Sequence, residues 1–333
     1  MIININGELL PPEKASISVL DHGFLFGDSV YEVIRTVGGK LFTADEHLAR
    51  LQNSARMIAL ELPLDAEGFK REFLRTHEAG GFGDSYLRLI VTRGSGLLEL
   101  NPESCKSPTW IIICKPLPDW GTDSWEKGIK VAIVGVQRNS RDALDPAIKS
   151  GNYLNNVLAL MEAKKRGAAE GVMCNAQGFV TEGTISNIFC VRGGTLCTPA
   201  LETGILSGIT RQVIIGLAHN KGAEVIESKL RPDDFINADE VFLTSTTRGV
   251  MPVQRIDEHV IADTPGPLTK KLMAAYAELL EAVAAGKVKP PAPLDTDESS
   301  RSGATGRIEA PDLEADVDAG EVDDSAGDGA AGS

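Results

Sequence analysis

Hydrophobic and polar positions alternate or recur along most of the chain, and the two periods mark strands and helices in turn. Met1–Leu10 reads as a hairpin turning at Asn6-Gly7, and Val30–Phe42 as two strands around Gly38-Gly39. Thr43-Ala44-Asp45-Glu46 has the form of a capping box, and Leu48, Leu51, Ala55 and Ile58 follow at helical spacing, so a helix is expected to about Leu60. Ser85–Arg93 and Thr109–Lys115 are β-branched runs that read as strands. Pro116–Gly128 breaks the pattern with prolines and glycines.

Beyond that break, Ile129–Val136 opens a second set of elements. Helices are expected at Asn152–Arg166, at Thr210–Lys221 (closed by Gly222) and at Pro267–Ala285. Short strands are expected at Gly171–Asn175, Phe179–Glu182, Asn187–Val191, Thr195–Thr198 and Glu240–Ser245. The expectation is a mixed α/β (α+β type) chain of two domains, 1–118 and 129–285, joined by a loop at 119–128.

Composition changes the picture at one end. Of the formal net charge of −14, the segment 286–333 carries −8, with twelve Asp+Glu against four Lys+Arg, no aromatic residue and no Met. Such a stretch buries too little apolar area to offset the entropy of ordering, so it is expected to be a disordered acidic tail. Apolar residues make up 42 % of the chain, enough for a sizeable core. The acidic balance argues against nucleic acid as a partner, and the lack of a long apolar run argues against a membrane. The five cysteines are scattered without a C-x-x-C pair, so neither structural zinc nor a disulfide framework is expected. No secretory pattern opens the chain, and a cytoplasmic setting is expected.

Common phosphate-loop, dinucleotide, zinc-protease and serine-hydrolase motifs are absent. Three stretches hold candidate chemistry. Lys149 lies in Ala147–Asn156 between a strand and a helix; an amine beside an apolar wall and a positive group becomes a nucleophile or base. Gly204–Arg211 opens a helix whose first amides favour an anion. Thr244–Gly249 sets hydroxyls and amides at the carboxyl end of a strand. Each has a plain reading as well: a surface lysine, a capped helix start, a capped turn.

Their order is more specific than any one of them. Lys149, then Val180-Thr181-Glu182-Gly183-Thr184, then Gly208-Ile209-Thr210-Arg211, then Ser245-Thr246-Thr247 resembles the class IV (fold type IV) pyridoxal-phosphate aminotransferases. Asp21–Glu32 resembles the opening segment of that family, and Glu46–Leu51 its phosphate-arginine helix. The resemblance runs from about Ile2 to Leu280. It implies pyridoxal 5'-phosphate held covalently by Lys149, which would also shuttle the substrate proton. Glu182 would face the pyridine nitrogen and Tyr153 the phenolic oxygen. Arg50 would grip the phosphate with its planar fork, aided by the amides of Ile209 and Thr210, the Thr210 hydroxyl and Thr246.

Within the family the branched-chain amino-acid aminotransferases are the most similar. Ser85–Leu89 resembles their substrate strand, where Tyr86 and Arg88 share a face and would hold a carboxylate. Phe26, Tyr31 and Tyr153 would form an apolar side-chain pocket, and the Thr246-Thr247 amides would bind the α-carboxylate. The implied partners are a small amino acid and a 2-oxo acid, together with a second subunit in a homodimer whose loop approaches the site. D-amino-acid aminotransferases share the scaffold but place an Arg and a His where this chain has Leu98 and Leu100. Aminodeoxychorismate lyase and a non-catalytic binding relative are the other readings. The chain departs from the branched-chain pattern at Glu99, Ile185-Ser186 and Arg248-Gly249, all expected near the substrate entrance.

Overall fold

The computed structural model describes residues 1–261 and 264–288. The tail expected to be disordered lies outside the described residues from 289 onward.

The first sheet is antiparallel throughout. Its strands are β1 (Ile2–Ile5), β2 (Glu8–Leu10), β3 (Ser29–Val37), β4 (Lys40–Phe42), β5 (Ser85–Thr92) and β6 (Thr109–Pro116), in the order β2-β1-β6-β5-β3-β4. A short helix, α1 (His22–Phe26), precedes β3, and α2 (Ala44–Met57) and α3 (Ala66–Gly80) cover one face. That face buries Ile34, Leu87, Leu89 and Ile112 against Leu48, Leu51, Phe69 and Phe73. Alternation then turns Tyr31, Arg35, Tyr86 and Arg88 to the other face, where Arg35 stands opposite Tyr86 and Val33 opposite Arg88.

The second sheet contains β7 (Ile129–Ile133), β8 (Glu170–Cys174), β9 (Val180–Gly183), β10 (Asn187–Arg192), β11 (Thr195–Pro199), β12 (Val225–Ser228), β13 (Glu240–Ser245), β14 (Gly249–Ile256) and β15 (His259–Val260). The order is β12-β11-β10-β13-β14-β7-β8-β9, with β15 on β14. Parallel pairs at β11/β12, β14/β7 and β7/β8 interrupt an otherwise antiparallel sheet. The helices here are α4 (Thr122–Lys127), α5 (Leu154–Lys165), α6 (Ile209–Asn220), α7 (Pro232–Ile236) and α8 (Pro267–Ala284). The core beneath α6 and α8 packs Val213, Ile214, Leu272 and Leu279 on Phe189 and Phe242.

Three expectations are corrected. Thr43 makes no cap: its φ of 52° puts it in the left-handed region, and its hydroxyl donates to the Phe42 carbonyl instead. The helix that follows ends at Met57 rather than Leu60, because Ala59 also turns left-handed. The break at 116–128 is not helix-free, since α4 forms there and Trp125 packs on the second core. No helix among the described residues is long and apolar enough to cross a membrane.

Candidate active site

The site forms where the two sheets meet. A pocket there is lined by Arg50 from α2, by Lys149 and Tyr153 before α5, by Glu182 on β9, by Ile209 and Thr210 at the start of α6, and by Thr246 after β13. Seven residues spread over 197 positions are thus brought together.

Lys149 is pinned through its backbone. Its carbonyl accepts from the Tyr31 N–H at 2.9 Å, and its own N–H donates to Ser54 Oγ at 3.1 Å. The Nζ stands 4.5 Å from the ring centre of Tyr31 and 6.0 Å from that of Tyr153. The faces of these rings attract a cation and leave the amine without a carboxylate partner within ion-pair distance among the described residues. Burial pushes the Tyr31 phenol up, so it stays neutral beside the lysine.

Glu182 is 5 % exposed. Its Oε1 accepts from Arg138 Nε at 2.9 Å, and its Oε2 accepts from the Leu206 N–H at 3.0 Å and Asn187 Nδ2 at 3.4 Å. Burial raises its pKa, while the Arg138 guanidinium opposes the rise. The carboxyl is therefore held rigidly in a dry setting, where a facing cation would interact strongly with it.

Arg50 is also buried, but its fork is not free. Nε and Nη2 both meet Glu32, and Nη1 donates to the Ser207 carbonyl at 2.7 Å. Nη2 also lies 3.4 Å from His47 Nδ1, so at most two of the fork's five N–H groups are left for the pocket. Burial alone would raise the pKa of Glu32, yet Arg50 and His47 outweigh it and hold the carboxyl well below the usual range. In this arrangement the bidentate face of the fork serves Glu32, while Arg50 still lines the pocket.

The pocket carries a donor set that fits a phosphorylated ligand. Thr184 Oγ1, Thr244 Oγ1 and Ser245 Oγ are buried without a hydrogen-bond partner, and all three residues line it. Buried hydroxyls are normally paired, so three orphans in one place point to an absent ligand. The first amides of α6 have no intrahelical acceptor, and no side chain caps them. Gly208 lies against Asn187 so closely that an added Cβ would sit 1.8 Å from its Oδ1.

The expected substrate residues divide. Tyr31 meets Tyr153 edge-on at 5.4 Å between ring centres, and the Arg88 guanidinium lies 4.1 Å from the Tyr31 ring centre. Tyr86 shares the strand face with Arg88 but packs under Lys115. Phe26 packs on His22 and is not among the pocket's lining residues. Thr247 lines a second cleft of about 370 Å³, beside Arg35, Trp125 and Tyr276, while Thr246 faces the first. The arrangement also contains Ser54, Arg138 and Glu170, which no local motif marks because each acts across the fold. Glu32 and His47 lie in stretches that resemble the family, but nothing in the sequence assigned them a role.

An amine held on aromatic faces and a buried acid thus share a pocket with an anion-ready helix start. The chain belongs to the amino-transferase class IV family, whose model matches residues 29–256. A protein of Methanocaldococcus jannaschii named "Putative branched-chain-amino-acid aminotransferase" is 42 % identical over 280 residues, covering 84 % of this chain and 96 % of its own length. The D-alanine aminotransferase of Bacillus licheniformis is 34 % identical over 276 residues, covering 83 % and 95 %. Among solved structures, the branched-chain amino acid aminotransferase of Thermoproteus uzoniensis with norvaline has a TM-score of 0.79 at 32 % identity. That match covers 87 % of this chain and 96 % of the other.

Proposed function

We propose that the protein is a pyridoxal-phosphate-dependent transaminase that moves the amino group of leucine, isoleucine or valine to 2-oxoglutarate, giving L-glutamate and the branched 2-oxo acid. One observation carries the reading: Lys149 and buried Glu182 line one pocket with three unpartnered buried hydroxyls. When bound, the cofactor supplies an aldehyde carbon for the amino group and a pyridine ring that accepts electrons from the substrate Cα. Lys149 Nζ would hold it and would take the proton from that Cα as base and return it as acid. Glu182 would face the ring nitrogen and keep it protonated, and Tyr153 would face the phenolic oxygen. The phosphate would be held by Arg50, the Ile209 and Thr210 amides, the Thr210 hydroxyl and Thr246.

Tyr31 and Phe26 serve the aliphatic side chain, Tyr86 and Arg88 a carboxylate, and the Thr247 amide the α-carboxylate. A homodimer in the cytoplasm is part of this reading. Its support is an apolar stripe on α5, where Leu154, Val157, Leu158 and Met161 are exposed at helical spacing. The 119–128 segment is read as the boundary between two domains.

A second reading, a D-amino-acid aminotransferase, is supported by the Bacillus licheniformis relative. Leu98 and Leu100 count against it, being exposed and without charge for a carboxylate. One assay separates the two: a panel of L- and D-amino acids with 2-oxoglutarate, followed as L- and D-glutamate formed. Turnover confined to branched L-amino acids supports the first reading, and turnover of D-alanine supports the second. Borohydride reduction of the cofactor-loaded protein with peptide mapping should mark Lys149; a label elsewhere removes the basis of both.

A further inference from the structure

We propose that Ile185 sets the side-chain selectivity of the pocket, and that the buried Glu170–Arg248 pair holds it in place. The inference rests on the transaminase reading. Ile185 follows the strand that carries Glu182 and lines the same pocket as Lys149, yet it is 50 % exposed. A large aliphatic group therefore stands at the open mouth.

The backbone of Ile185 is tied back. Its N–H donates to Glu170 Oε1 at 3.0 Å, and Ser186 Oγ donates to the same oxygen at 2.7 Å. Gly183 closes on this contact, since a Cβ there would lie 2.5 Å from Glu170 Oε1. The other oxygen of Glu170 meets Arg248 Nη1, and Glu170 is 0 % exposed. Arg248 ends the turn that carries Thr246, and its guanidinium lies 4.3 Å from the Trp120 ring centre. Glu170 and Arg248 thus join the 183–186 turn to the 245–248 turn, and residues of both turns line the pocket.

Such a pair gains little stability over well-packed apolar residues of the same size. This one also leaves Arg248 Nε buried without a partner, a further cost. Its benefit is positional: it fixes the spacing of two turns, and with it the place of the Ile185 side chain. A rim residue that cannot withdraw excludes bulky side chains by its volume.

The test uses holoenzyme saturated with pyridoxal phosphate, with leucine and phenylalanine as probes. In Ile185→Gly the phenylalanine-to-leucine ratio of kcat/KM should rise at least about tenfold, mainly through KM, since a few methylenes in an apolar pocket discriminate by that much. Ile185→Val should fall between. Glu170→Gln/Arg248→Met, which removes both buried charges together, should shift the ratio in the same direction, and Arg248→Lys should restore most of it. A loss of stability alone would lower active enzyme without moving that ratio. An unchanged ratio in Ile185→Gly, with leucine turnover intact in the parent, overturns the inference and leaves the transaminase reading standing. A parent that transaminates neither amino acid overturns both. A double variant with the parent's ratio overturns the positioning role of the pair.

Discussion

Glu32 takes both arms of the Arg50 fork, Nε at 2.7 Å and Nη2 at 2.8 Å, on a carboxylate with no solvent exposure. His47 Nδ1 adds a third contact at 2.7 Å. The arginine that faces the pocket is thus aimed by an acid 18 residues earlier, on the neighbouring strand. Breaking such a pair leaves an uncompensated buried charge, so Glu32→Gln should cost about 3–5 kcal/mol. The pKa of Glu32 is depressed in the fold, so its contribution is complete above the unfolded value near ~4.3 and fades as pH falls below it. Thermal melts of parent and variant should therefore differ most at neutral pH and converge in acid. A gap that is the same at every pH would contradict the pairing.

Glu46 has the opposite sign. It is 5 % exposed with Oε1 unpartnered, and burial raises its pKa to about 7. Its favourable neutral form is present in full below the unfolded value near ~4.3, and that stability is lost as pH rises through about 7. Glu46→Gln should melt higher than the parent at pH 8, by up to about 3 kcal/mol, with the difference vanishing near pH 4. Equal melting temperatures at pH 8 would show that the carboxyl finds a partner.

Lys149 is held by its backbone rather than its side chain, through Tyr31 and Ser54. Lys149→Ala should then keep a near-parental melting temperature while turnover drops by at least about 10³-fold. Glutamate release and a melt on the same preparation decide it. Near-normal rates would remove the lysine from the chemistry. Glu182→Gln, measured alongside, should lower kcat by orders of magnitude while cofactor remains bound, because the amide cannot stabilise a protonated ring nitrogen.

Gly208→Ala should harm both fold and pocket. The new Cβ would collide with Asn187 Oδ1, and Asn187 also donates to Glu182 and to the Leu206 carbonyl. Overpacking of this kind costs about 1–3 kcal/mol. A melt should show that loss, and a titration with pyridoxal phosphate followed by absorbance should show weaker binding. Parental affinity would mean that Asn187 moves aside without disturbing Glu182.

Much of the fold is legible in the sequence, because β5 and α8 each bury one face at a fixed interval, while β3 and β6 are runs of β-branched and apolar residues. Legibility fails where that face is thin. Among the buried positions of α3, Phe69 and Phe73 are the large apolar ones, and its polar surface conceals a helix of 15 residues. Strand β14 is concealed by Pro252, which pairs opposite Phe242 all the same. Thr43 misleads because a hydroxyl at a helix start is only an offer to cap, and the left-handed turn after β4 leaves it bonded to Phe42.

By itself the sequence determined the alternation of elements, since short segments carry their own turn chemistry and spacing, and its resemblance to the class IV aminotransferases pointed to the ordered set Lys149, Glu182, Thr210 and Thr246. Only the tertiary structure decided what each of these faces. It spent the Arg50 fork on Glu32, set Arg138 on Glu182, laid Lys149 over Tyr31 and tied Ile185 to Arg248 through Glu170. Those choices depend on burial and on partners up to 118 positions away, and a buried charge accepts whichever partner the packing brings within reach.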